Sequence, residues 1–367
     1  MSINIKRFVD IDIKYHIPTS ISGSRDTVVL LTSEGIAGNN KIFTSLSQFM
    51  ADEVYSKLET TLKYVQTYFD NGGIKLDVRC GITTANEIVE EVKKLDNEEI
   101  VVCYAGDFDA IKQAATAQTT SEGTTGSISS VYGINQKIYV ARTTITQDLS
   151  RINNFAVKYA QFEGAEMTIA AYLSKVNIYG IDTIRDYAFT VETFTSDEET
   201  QLSDDDTLLG NVLDNNLNVD MHLSGAIRNL GGNLTNGLDL VNQFTLIVLH
   251  QTVTERILNL LVQKIKGNAG IAAIYSVISE ELGRYLTNGY LTTDKIWTDE
   301  TKTIVYNNKT YTIIAQGTAL NLGYQIVILP LSSLTDEDKA ERKCPPIYIV
   351  LADKYGIRIV TANGEII

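Results

Sequence analysis

The stretch Arg342-Lys343-Cys344-Pro345-Pro346 runs into Ile347-Tyr348-Ile349-Val350-Leu351 and then a second β-prone ribbon, Gly356-Ile357-Arg358-Ile359-Val360-Thr361-Ala362-Asn363-Gly364-Glu365-Ile366-Ile367. A sequence that finishes on a β-prone segment, with no helix to cover it, leaves backbone donors and acceptors that tend to recruit another strand. The opposite end carries the same signal. Between Ser2 and Lys14, Ile3, Ile5, Val9, Ile11 and Ile13 share one parity, and Asn4, Lys6, Asp10, Asp12 and Lys14 the other, the period of a half-buried strand. Two adhesive ends point to a polymer subunit, with those five residues and Ile357, Ile359, Val360 and Ile366 as its candidate intersubunit contacts.

Working inward, the composition is that of a soluble globular chain. With 367 residues, 44% hydrophobic and only four prolines, it can bury a large core and divide into several domains. Its longest apolar run, around Phe244 to Leu249, is followed by His250, Glu255 and Arg256, too short and too polar to span a bilayer. Met1-Ser2-Ile3-Asn4-Ile5-Lys6-Arg7 lacks the organisation of a secretory signal, so folding in the cytoplasm is expected. The three cysteines, Cys80, Cys103 and Cys344, then read as free thiols rather than a bridge or metal site. A formal charge of −14 repels phosphate backbones and argues against nucleic-acid binding.

The first compact unit alternates strands and helices. Thr27 to Leu31 is a buried strand. Thr44 or Ser45 caps one long helix with Leu46, Phe49, Met50, Val54, Leu58, Leu62, Val65 and Phe69 on its apolar side, ending at Asn71-Gly72-Gly73. Ile74, Leu76, Val78 and Cys80 restart the two-residue period, completing a βαβ unit. Thr84-Ala85-Asn86-Glu87 is a capping box, and Ile100 to Tyr104 is a further buried strand, so the sheet is expected to be partly parallel. Gln118 to Ser130 reads as a polar surface loop before a strand at Lys137 to Ala141. A second unit offers a strand at Phe155 to Tyr159, a helix at Gly164 to Lys175 and a strand at Ala188 to Phe194. The acidic run from Asp197 to Asp206 favours a helix amino end and reads as a solvated face rather than a cation site. The third unit is largely helical: Leu238 to Lys266, a break at Gly267-Asn268-Ala269-Gly270, and a helix at Ile271 to Leu286. A hairpin turning at Asn307-Asn308 follows. No repeat of solenoid period is apparent.

Catalytic patterns are weak. His16, His222 and His250 fall in no metal-ligand spacing, and no nucleophile elbow is present. Gly231-Gly232-Asn233-Leu234-Thr235-Asn236-Gly237 lacks a P-loop lysine and reads as a turn before a long helix. Asn233-Leu234-Thr235 and Asn308-Lys309-Thr310 fit the glycosylation pattern, which has no meaning without secretion. Trp297 and the 19 tyrosines are candidate interface anchors, most of the tyrosines being half-buried core.

In order, three segments resemble the sheath proteins of contractile phage tails and related injection machines. They are Tyr64-Val65-Gln66-Thr67-Tyr68-Phe69-Asp70-Asn71-Gly72-Gly73 feeding Leu76-Asp77-Val78-Arg79, Ala165 to Asn177, and Gly323-Tyr324-Gln325-Ile326-Val327 through Arg342 and Pro345-Pro346 to the terminal strand. The resemblance implies a mixed α/β subunit with a partly parallel sheet and extended terminal β-arms that exchange strands between neighbours. Its expected divisions are an arm at 1–22, α/β units at 23–145 and 146–235, a helical and β region at 236–350, and an arm at 351–367. It also implies a non-enzymatic, cofactor-free part of a virion tail, built in the host bacterial cytoplasm. Stacked rings of it would surround a tail tube and contract, driving the tube through the host envelope during genome delivery. Its partners would be itself, the tail tube protein, and baseplate and tail terminator proteins, with no membrane insertion. The alternatives are another self-assembling tail component, tube or baseplate, and an α/β enzyme.

Overall fold

The structure, a computed structural model, describes residues 25–96, 98–122, 137–177, 187–202, 205–262, 267–340 and 343–352. In chain order the first elements are β1 (Thr27–Thr32), β2 (Asn40–Phe43), α1 (Leu46–Met50), α2 (Glu59–Asp70), β3 (Lys75–Arg79), α3 (Ala85–Val92), β4 (Val101–Ala105), α4 (Phe108–Glu122) and β5 (Ile138–Thr143). The middle holds β6 (Phe155–Tyr159), α5 (Met167–Lys175), α6 (Ser196–Glu199), α7 (Asp206–Asp214), β7 (Asn218–Leu223) and β8 (Ala226–Leu230). Then come α8 (Leu240–Val262), α9 (Gly267–Thr287), β9 (Lys302–Tyr306), β10 (Lys309–Ile314), β11 (Tyr324–Ile328), α10 (Asp336–Ala340) and β12 (Ile347–Leu351).

Apolar runs such as Val28-Val29-Leu30-Leu31, buried on both faces, are what a covered parallel strand requires. β1 to β8 form one eight-stranded sheet in the order β2-β3-β1-β4-β5-β6-β7-β8. The six inner strands are mutually parallel, and β2 and β8 close the two edges antiparallel. Val28 and Leu30 point into a core shared with α2, α5, α8 and α9, while Val29 and Leu31 point into one shared with α3, α4 and α7. The result is a mixed α/β, three-layer arrangement with a mostly parallel centre, as expected. Strands on both sides of residue 145 belong to this single sheet. Its joints are uneven: β5 and β6 are in register over five residue pairs, β6 and β7 over only two.

The long helix expected from Ser45 to Phe69 is instead α1, a 3-10 turn at Tyr55–Lys57, and α2. Asp52 interrupts it, because its carboxylate accepts the backbone N–H groups of Val54 at 2.9 Å and Tyr55 at 3.0 Å, a local alternative to helical bonding. Edge-to-face packing of Phe43 on Phe49 and Tyr55, with ring centres 5.0 and 5.1 Å apart, holds the corner. Met50 and Val54 are consequently exposed rather than core-facing. The end of α2 is as expected, and Gly73 is required there because a Cβ would lie 2.3 Å from the Tyr68 ring.

Three further expectations are corrected. Ala188 to Phe194 is not a strand: Phe189 has φ +63°, Thr190 N–H turns back to the Tyr187 carbonyl, and a single bridge joins Val191 to Arg228. Gln118 to Glu122 belongs to α4, which propagates from a buried face of Ala110, Ile111, Ala114 and Ala115, and residues 123–130 of the expected loop lie outside the described residues. Gly267-Asn268-Ala269-Gly270 forms the first turn of α9 rather than a break. The Thr84 capping box is present, and Asn307 and Asn308, at φ +47° and +59°, make the β9–β10 turn. Residues 226–230 and 218–223, to which the sequence reading assigned no strand, form β8 and β7.

Candidate functional site

Ile3, Ile5, Val9, Ile11 and Ile13, and Ile357, Ile359, Val360 and Ile366, lie outside the described residues. What can be placed is the point at which each terminal segment joins the body. Arg25 is 1% exposed, with Nε 3.4 Å from Gln251 Oε1 and Nη2 3.8 Å from Glu255, both on α8. Burial raises the Glu255 pKa against the pull of the Arg25 charge. At the other end, Ala352 N–H donates to the Gly323 carbonyl and its own carbonyl accepts from Thr292, both at 2.8 Å. Gly323 has φ +74°, and a Cβ would sit 3.2 Å from Leu286, Leu291 and the Thr292 carbonyl.

Between Gly323 and Ala352, β11 and β12 form an antiparallel ribbon in register from Tyr324↔Leu351 to Ile328↔Ile347. Tyr324 and Ser279 hydroxyls, 2.8 Å apart, bind it to α9, and Gln325 Nε2 donates to the Ile313 carbonyl of β10 at 2.7 Å. Among the described residues, neither outer edge of the ribbon pairs with a further strand. The first half of the expected adhesive stretch, Ile347 to Leu351, is therefore one strand of a two-stranded antiparallel ribbon.

The sheet order also identifies where a doubly wound enzyme would bind its ligand. Leaving β1, the chain builds β3 on one side and β4 on the other, so the crevice lies at the carboxyl ends of β1 and β4. Glu34 lies two residues beyond the carboxyl end of β1. Its carboxylate accepts from Thr60 N–H at 3.1 Å, Thr61 N–H at 2.8 Å and Thr61 Oγ1 at 2.7 Å, in the first turn of α2. Burial raises the Glu34 pKa, but those hydrogen bonds outweigh it and the net shift is downward. The helix end that elsewhere holds a phosphate is satisfied here by the chain's own carboxylate.

Of the histidines, His16 is outside the described residues, His222 is exposed, and His250 lies on α8 with its pKa pushed down to about 4 by burial. Among the described residues no cluster of three His, Cys, Asp or Glu side chains could hold a metal. Cys80 and Cys103 are buried and Cys344 half-buried, all as free thiols. The 231–237 turn precedes α8 as expected, with Asn218 Oδ1 accepting the N–H groups of Gly232 at 2.6 Å and Asn233 at 3.3 Å. No described helix is long and apolar enough to cross a membrane.

Sequence reasoning missed a buried ionic cluster under the β6–β7 joint. Lys158, fully buried, places Nζ 2.5 Å from Glu192 Oε2, 2.7 Å from Asp220 Oδ1, 2.6 Å from Thr168 Oγ1 and 3.1 Å from the Tyr187 hydroxyl, which also donates to Glu192. Phe155-Ala156-Val157-Lys158-Tyr159 held the one clue, a lysine inside an otherwise buried strand.

No protein-family model matches the chain, and no curated protein matches it. Solved structures do. A chain of the anti-feeding prophage baseplate, 6-fold symmetrised, aligns at TM-score 0.63 and 12% identity, covering 96% of both chains. A chain of the same prophage's helical sheath in the contracted state aligns at 0.58 and 12%, covering 97% of each. A chain of the PVC sheath complex, from an extracellular contractile injection system in the contracted state, aligns at 0.58 and 13%, covering 97% of this chain and 96% of that one. Over nearly its whole length, the chain has the fold found in the sheath and baseplate structures of contractile injection systems.

Proposed function

We propose that the chain is the structural subunit of a contractile sheath. It polymerises as stacked rings around a tail tube and shortens to drive the tube through a target envelope. The observation that carries this reading is the alignment of nearly the entire chain with chains from contracted sheaths. The β11–β12 ribbon, which pairs with no third strand among the described residues, supports strand exchange, in which Ile3 to Ile13 and Ile357 to Ile366 add to neighbours' sheets. Main-chain bonds across such a joint tolerate large rearrangements of the rest of the subunit. The first turn of α2, occupied by the chain's own Glu34 carboxylate, supports a structural rather than an enzymatic role. Copies of itself, a tube protein, a baseplate and a terminator are the partners of this reading, in a phage tail or an extracellular injection particle.

A second reading, a baseplate-bound subunit, is favoured by the alignments with chains from baseplate structures. Negative-stain microscopy of the purified protein distinguishes the two. Wide hollow cylinders are the expected result. Rings that never stack favour the baseplate, and monodisperse particles at high concentration overturn both.

A further inference from the structure

The Lys158 cluster is sealed: Lys158 is fully buried, Asp220 1% exposed and Glu192 6% exposed, with the Tyr187 and Phe194 rings 5.6 and 5.9 Å from Nζ. Two carboxyl groups face one ammonium there, with Lys175 near Glu192 as a further cation at the margin. The two carboxyls are held differently. Glu192 accepts from Lys158 and Tyr187, whereas Asp220 meets Lys158 Nζ through Oδ1 at 2.7 Å and stands against the Glu192 carboxyl. Burial, reinforced by the Glu192 charge, pushes the Asp220 pKa well above the usual range, so Asp220 is the protonated member. A buried carboxyl at contact distance from a desolvated amine is costly as an ion pair and well placed as an acyl donor to that amine.

We propose that Lys158 and Asp220 condense into an intramolecular isopeptide bond, with Glu192 as the proton relay. Lys158 first passes a proton to the Glu192 carboxylate, leaving a neutral amine beside a protonated Asp220. The amine nitrogen attacks Asp220 Cγ. As the C–N bond forms, the nitrogen loses one proton and the departing hydroxyl gains one through Glu192. The C–O bond breaks, one water leaves, and nothing is oxidised or reduced. Lys158 and Asp220 come from β6 and β7, strands in register over only two residue pairs, so the bond would lock a weak joint of the sheet. The inference does not depend on the sheath reading.

Intact mass of the purified full-length chain and tryptic mapping are the tests. The expected mass is that of the sequence less one water, with cleavage after Lys158 lost and one branched peptide linking Lys158 to Asp220. Glu192→Gln is expected to restore the full mass with an unchanged far-ultraviolet circular dichroism spectrum. The wild-type measurement stands even if that variant fails to fold. A full sequence mass with complete cleavage after Lys158 overturns the proposal, and a branch to Glu192 overturns the assignment of Asp220 as acyl donor.

Discussion

Glu166, just before α5, has a buried carboxyl near Arg142 and Tyr64. Burial drives its pKa up to about 7, although the Arg142 charge and the Tyr64 hydroxyl pull the other way. The folded chain thus holds a proton that the unfolded chain releases between the ordinary glutamate value of 4.5 and about 7. Its contribution to stability is complete below the ordinary glutamate range and is lost as pH rises through 7. The shift corresponds to roughly 3 kcal/mol. Glu166→Gln, neutral at every pH, should therefore lose this fall: the difference in melting temperature between variant and wild type should widen in the variant's favour from pH 5 to pH 8. A constant difference would show that Glu166 does not titrate in the fold. Glu34 makes a second prediction at this scale. Replacing it with Ala removes the carboxylate that accepts from the Thr60 and Thr61 N–H groups and should cost about 1 to 2 kcal/mol in denaturant unfolding. Glu34→Gln should cost less, since one oxygen can still accept.

At the scale of elements, the parts visible in sequence were those governed by local rules: the Thr84 capping box, the Asn307-Asn308 turn, the all-apolar β1 and β4. The parts missed are those decided by tertiary partners. β7 carries Asp220 and His222 among its residues and reads as polar, yet it pairs β6 because Asn218 and Asp220 are buried against other groups of the fold. The break at Asp52 was present as a residue but invisible as a cap, since a carboxylate inside an apolar period looks like a solvated helix position. The alternating patterns of the proposed arms lie outside the described residues, and the contacts next to them, Arg25 on α8 and Ala352 between Gly323 and Thr292, had no signal in the sequence. Those contacts make the arm idea testable. Deleting Ser2 to Lys14 leaves Arg25 and its contacts in place, so the truncated chain should unfold within about 0.5 kcal/mol of the full one yet form no cylinders. Cylinders of normal length from the truncated protein would rule out an essential arm.

For the whole molecule, the proposed sheath role raises the question of where the work of contraction would be stored. One sheet spans β1 to β8, with helices covering both faces, and the alignment with contracted-state chains extends over 97% of the chain. If such a body moves as a unit, intersubunit contacts are the place where free energy changes. If the extended lattice is metastable and held by the tube, subunits purified without a tube have nothing to trap them and should assemble directly into the contracted lattice, with no nucleotide. The net charge of −14 adds a second handle. Tube attachment that is partly electrostatic should weaken as salt shortens the Debye length, while strand-mediated joints between subunits, made of main-chain hydrogen bonds, should change little. Cryo-microscopy of tube-free assemblies across a salt series measures both. The expected outcome is one contracted lattice at every ionic strength, with salt releasing tubes only from particles that contain them. An extended lattice that persists without a tube would place the stored energy inside the subunit and sink the argument.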